Sequence, residues 1–112
     1  MNIQTERDGA TLVIKAGDRV DGANAREFQD ALEAAIGGAD KVVVLDFEEL
    51  AYISSAGLRV VLLIARSLSK QDAKFGICSL SKPIREVFEI SGFDKIIPIH
   101  ESQAEAVAKL AG

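Results

Sequence analysis

Two adjacent hydroxyls, Ser54 and Ser55, stand between an apolar run that ends at Asp46 and a long apolar and basic stretch that begins at Leu58. A serine so placed has three chemical uses: nucleophile, helix cap, or acceptor of a phosphoryl group. The first use needs a general base. His100 is the single histidine, and the pattern of glycine two residues to either side of the serine is absent, so catalysis by Ser55 is not expected. Neither a glycine-rich phosphate loop ending in Lys-Ser/Thr nor a metal-ligand cluster occurs, which predicts a non-enzymatic chain without metal or cofactor. His100 reads as a surface or cap residue. The lone Cys78 lies in an apolar run and reads as an inert core thiol.

The elements that must hold these serines follow from periodicity. Ala10 to Lys15 alternates as a strand, Asn2 to Glu6 forms a weaker one before it, and Asp8-Gly9 is the hairpin turn between them. Beyond a turn at Asp18 to Gly22, Ala25, Phe28, Leu32, Ala35 and Ile36 recur at helical spacing, and Gly37-Gly38 ends that helix. Lys41 to Asp46 is almost wholly apolar, as a central strand covered on both sides should be. A loop and the longest helix follow. Lys74 to Leu80 is a further strand, Ser81 caps a short helix with Gly92 just beyond its end, and Ile96 to Ile99 is a last strand. Ser102 and Glu105 have the spacing of a capping box before a terminal helix. The order ββαβαβαβα predicts an α/β single domain over residues 1–112, a mixed, largely parallel sheet of four or five strands with four helices packed against it.

Within the long helix, Leu58, Val61, Leu62, Ala65 and Leu68 make one apolar face, opposite Arg59, Arg66 and Lys70. Carried back one turn at about 100° per residue, this rotation puts Ser54 on the core side and Ser55 on the outer stripe. Ser54 is then the N-cap, accepting from the Gly57 backbone N–H, and Ser55 faces solvent. A phosphate on Ser55 would meet the positive end of the helix, so the domain itself should tolerate it. Cap duty alone would also account for the pair. Asp21 is equally a turn residue or an N-cap for the helix that follows it, and Arg59 and Leu63 are either solvated helix surface or an interface shared with Ser55.

From Ile3 to Leu110 the sequence resembles the STAS family, whose free-standing members include bacterial anti-sigma factor antagonists. Tyr52-Ile53-Ser54-Ser55-Ala56-Gly57-Leu58 is similar to that family's strand-to-helix signature, in which the serine two places before the glycine is phosphorylated by a partner kinase. Many members carry aspartate where Ser54 stands; the cap survives that exchange and the negative charge does not. Arg19 to Ala25 resembles the loop after the second strand, which lies beside the phosphosite and contacts the kinase, although Asp18 replaces its usual leading glycine. The resemblance implies phosphorylation at Ser55 and partner contacts through Asp21, Gly22, Asn24, Ser54, Ser55, Gly57, Leu58, Arg59 and Leu63. It implies a GHKL-type anti-sigma factor kinase and a PP2C-type phosphatase as partners. STAS modules also serve as fixed subunits of transporter, lipid-export or stress-signalling complexes, which would need no switch.

Other classes fit less well. Asp46 ends its strand where a receiver domain keeps a phosphorylated aspartate, but the acidic pair after the first strand is missing and two strands open the chain. A net charge of −4 argues against nucleic acid and anionic lipid as targets. The longest apolar stretch, Val60 to Ala65, is far short of the roughly 20 residues that span a bilayer, and the N-terminus lacks the pattern of a signal peptide. These features lead us to expect a cytoplasmic protein without membrane insertion, a monomer or weak dimer.

Overall fold

The computed structural model describes residues 3–112. Strand β1 (Ile3–Asp8) turns through Gly9 and Ala10 into β2 (Thr11–Ala16), with Asp8 paired to Thr11. Gly9 takes φ +60°, which a two-residue hairpin loop demands and glycine adopts without steric cost. The turn therefore falls one residue later than Asp8-Gly9; Asn2, the expected start of the first strand, lies outside the described residues. There follow β3 (Asp18–Val20), α1 (Ala25–Ala35), β4 (Val42–Asp46), β5 (Leu50–Ile53), α2 (Ser55–Lys70), β6 (Lys74–Cys78) and α3 (Lys82–Ser91). One 3-10 turn (Phe93–Lys95), β7 (Ile99–His100) and α4 (Gln103–Ala111) complete the chain.

The main sheet has the order β1-β2-β4-β6-β7, antiparallel between β1 and β2 and parallel elsewhere. This is the mixed, largely parallel sheet with four helices expected of the alternating elements. Central strand β4 is buried along its whole length, and its side chains divide by the period of two. Val43 and Leu45 join Leu12, Ile14, Phe28, Val61 and Phe88 in the larger core beneath α1, α2 and α3. Val42 and Val44 join Val13, Cys78 and Ala106 beneath α4 on the other face. Burial pushes the Cys78 thiol up to about 11, which keeps it protonated and unreactive near neutrality.

Several expectations need correction. Strands β3 and β5 form a second, two-stranded parallel sheet where a turn and a loop were expected. Ile96 is exposed and precedes the last strand rather than starting it, because the 3-10 turn occupies that stretch. Ser81 occupies the N-cap position of α3 without a side-chain cap bond. Ser102 Oγ does accept from Glu105 N at 3.1 Å, while the Glu105 carboxylate turns to His100, Oε1 lying 3.6 Å from Nδ1. His100 itself is buried, packed near Gly76 and under α4, rather than on the surface. In α2, Val60 and Ile64 are buried and Leu62 and Ala65 only half-buried, since the helix packs against α1 as well as the sheet.

One ion pair ties the edge strand to the core. Arg7 of β1 donates through Nε and Nη2 to the two oxygens of buried Asp40, each at 2.9 Å, and Nη2 also reaches Ala35 O. Asp40 Oδ2 accepts from Gly37 N at 2.7 Å as well. The Arg7 hydrogen bonds hold the Asp40 carboxyl below the usual carboxylate range against the opposing effect of burial. A carboxyl so depressed adds stability that is present above its unfolded pKa of about 4 and fades as pH falls through the lower folded value. Asp40→Asn should lower Tm at pH 7 by on the order of 5 °C. That deficit should shrink below about pH 4, where the wild type loses the same contribution; thermal melts at pH 7 and pH 3 check both, and a deficit unchanged by acid would contradict the assignment.

Candidate functional site

The second sheet builds the site. Parallel pairing of β3 with β5 brings the chain leaving Val20 alongside the chain leaving Ile53, and Ser54 N donates to Val20 O at 2.9 Å. Ser54 takes an extended conformation and its Oγ accepts from Gly57 N at 3.2 Å, as an N-cap serine does. Ser55 is the first residue of α2 and is exposed, while Ser54 is half-buried. The outward direction of the second hydroxyl, on which the sequence reading turned, is observed.

Beneath the cap, the helix start is seated tightly. A Cβ on Gly57 would lie 2.8 Å from both Ile53 Cγ1 and Val20 Cγ1, closer than carbon atoms pack. Gly57 is buried and Leu58 is 9% exposed, so neither presents appreciable surface to a partner. Their part is to set the position and rotation of α2 from below.

The loop between β3 and α1 is held by its own polar side chains. Asp21 Oδ1 accepts from Ala23 N at 2.9 Å and Asn24 N at 3.3 Å, and Asn24 Oδ1 accepts from Asp21 N at 2.8 Å. Asn24 Nδ2 donates to Arg19 O, and Arg19 Nε donates to Asp21 Oδ2 at 2.9 Å. Asp21 is thus the turn residue, and Asn24 occupies the N-cap position of α1 without a side-chain cap bond. Partial burial works to raise the Asp21 carboxyl, but the Ala23 N–H, the Arg19 guanidinium and the Asn24 N–H together hold it below its ordinary value. The Arg19 guanidinium also lies 5.1 Å from the centroid of the exposed Tyr52 ring, joining loop to β5.

Between α1 and α2 runs a shallow groove of about 410 Å³, whose lining includes Gly22, Arg26, Ser55, Arg59, Val60 and Leu63. The structure therefore brings Gly22, Ser55, Arg59 and Leu63 together at one surface. Asp21 and Asn24 stand beside it in the loop. Arg26, Arg19 and Tyr52 were not singled out as site residues from sequence. Arg26 belongs to α1, and only the packing of two helices shows that it shares a surface with Ser55. His100, the single histidine, sits beneath α4, on the opposite face of the sheet from α2 and Ser55. Asp46 is buried, with Oδ1 accepting from Glu48 N at 2.9 Å, so it offers no open acidic pocket of the receiver kind.

A largely parallel sheet whose β3–β5 clamp presents a serine-capped helix, with one hydroxyl free at its first residue, is the architecture of a STAS domain. Residues 2–106 match the STAS domain family, and the chain belongs to it. BtrV of Bordetella bronchiseptica, named as a candidate anti-sigma factor antagonist, is 46% identical over 108 residues, covering 96% of this chain and 93% of the relative. The anti-sigma-B factor antagonist of Listeria monocytogenes is 30% identical over 108 residues, covering 94% and 95%. Among solved structures, the anti-sigma factor antagonist SpoIIAA in its unphosphorylated form superposes with a TM-score of 0.82 at 24% identity, over 99% of this chain and 97% of that one. The Bacillus cell fate determinant SpoIIAA in its phosphorylated form gives 0.73, also at 24%, over 96% and 98%.

Two substitutions separate the cap from the seat. Ser54→Ala removes the bond to Gly57 N and should cost about 1 kcal/mol. Gly57→Ala gains about 1 kcal/mol of helix propensity but forces a methyl group into Val20 and Ile53, an overpacking of about 1–3 kcal/mol, so a net loss of roughly 1 kcal/mol is expected. Urea midpoints measure both. A Gly57→Ala variant more stable than wild type would show that the strands do not press against the helix as described.

Proposed function

We propose that this STAS domain is a cytoplasmic anti-sigma factor antagonist of the partner-switching type. The unmodified chain binds a GHKL-type anti-sigma factor kinase through the groove at Ser55, phosphorylation of Ser55 ends the contact, and a PP2C-type phosphatase restores it. In the modifying step Ser55 Oγ bonds to the γ-phosphorus of ATP as the bond from that phosphorus to the departing ADP oxygen breaks, and the hydroxyl proton passes to a base of the kinase. The observation that carries the reading is the exposed hydroxyl at the first residue of a capped helix, in a chain whose relatives at 46% and 30% identity bear anti-sigma factor antagonist names.

The physical reason for a switch lies in what the groove is shaped to meet. A neutral hydroxyl enters an interface at little cost. A phosphate adds a charge of about −1.5 to −2 with three hydrated oxygens, and burying such a charge without a partner costs several kcal/mol. At 1.4 kcal/mol per tenfold, that is roughly a hundredfold loss of affinity or more. The domain itself is unharmed, because the modified side chain projects from the first turn beside free backbone N–H groups.

Calorimetry with a purified candidate kinase tests the proposal. Ser55→Ala should bind within about threefold of wild type, since only a hydroxyl is lost. Ser55→Asp should bind on the order of a hundredfold more weakly. Equal affinity for Ser55→Asp and wild type would overturn the switch and leave a constitutive interaction subunit as the better reading.

A further inference from the structure

Arg59 differs in its surroundings from the other cations around the site. Arg19 in the neighbouring loop holds Asp21, and Arg26 on the facing helix holds Asp30. Among the described residues Arg59 makes no ion pair and no side-chain hydrogen bond. It follows Ser55 by four residues in α2, so their Cβ atoms stand about 5–6 Å apart on one face. Both residues are exposed, and because Cα–Cβ bonds in a helix tilt toward its N-terminus, the Arg59 side chain leaves the helix leaning toward Ser55. The groove they share has Arg26 on its α1 wall and no carboxylate in its lining. In a chain of net charge −4, this surface carries local positive charge.

Resting on the phosphoswitch reading, we infer that Arg59 is the internal receptor of the phosphate: once Ser55 is modified, its phosphoryl oxygens pair with the Arg59 guanidinium of the same molecule. Guanidinium and phosphate match in geometry, and a cation four residues after the anion is the favoured order on a helix. The unmodified chain offers Arg59 to a carboxylate of the partner. The modified chain withdraws that cation and, with about −1.5 to −2 set against +1, reverses the sign of the surface. Phosphorylation then acts by removing a positive contact as well as by adding a negative one.

The pairing itself is tested without a kinase. Phosphoserine placed at position 55 of the full chain by genetic code expansion is titrated by phosphorus NMR. A neighbouring guanidinium favours the phosphate dianion, so the wild-type phosphoprotein should titrate below its Arg59→Gln counterpart by roughly 0.3 pH unit or more. The helix N-terminus contributes to both alike, so the difference isolates Arg59. The gap should narrow in 0.5 M salt, and Arg59→Lys should retain part of it. Arg66→Gln, about 16 Å along the helix from Ser55, should titrate with wild type. Coincident curves for wild type and Arg59→Gln, both folded by circular dichroism, would overturn the inference. A separate arm measures binding of the wild-type phosphoprotein to the purified kinase: undiminished binding defeats the antagonist switch while leaving the titration result standing, so the two failures are distinguishable.

Discussion

At its first turn α2 lies so close to β3 and β5 that Gly57 has no room for a methyl group above Val20 and Ile53. This contact leaves the helix little freedom to rotate. Ser54 is drawn in by its N–H to Val20 O and its Oγ to Gly57 N, and the next residue is thereby turned out. A helix seated a methyl group further away would loosen all three constraints at once. The exposure of Ser55 is therefore a consequence of packing at Gly57, two residues away, and the glycine is needed for close approach rather than for an unusual φ.

The same small sheet explains why the loop before α1 belongs to the site. Parallel pairing of β3 and β5 aligns the exits of both strands, so the Asp21 to Asn24 turn and the Ser54-Ser55 cap emerge side by side. Each is then made rigid by its own hydrogen bonds, the turn by the Asp21 and Asn24 side chains and the cap by Ser54. Fewer rotamers remain to be frozen when a partner docks, which lowers the entropic cost of association. The stabilising devices far from this surface, the Arg7 pair with Asp40 and the α4 layer over Val42 and Val44, lie on other parts of the sheet and leave the groove to binding.

Much of this was legible in the sequence, for reasons that also mark where legibility stops. Lys41 to Asp46 is nearly all apolar, which announced a doubly covered central strand, and the charge stripe of Arg59, Arg66 and Lys70 placed Ser55 outward even though the buried face proved to be turned toward Val60 and Ile64. Strands β3 and β5 were not visible. Three residues carry too little periodicity, and Leu50 to Ile53 buries its two ends rather than alternate positions. Because that pairing was missed, Asp21 could not be told apart as turn or cap, and Arg26 had no reason to be grouped with Ser55. His100 looked like surface by residue type; only the cover provided by α4 buries it.

A rigid site has a bearing on how a modification there is read. A ligand or phosphate shifts a conformational equilibrium only by its differential interaction with two states, and the turn and cap at Ser55 are each fixed in one arrangement by several hydrogen bonds. Moving the helix start would break the Ser54 bonds and open a gap at Gly57, while a phosphate on the exposed first residue gains nothing from that movement. In the proposed switch the signal is accordingly a change in surface charge, confined to within a Debye length of about 8–10 Å. Such a signal is read only by a partner that touches this groove, which is how one small domain can be released from a kinase without being refolded.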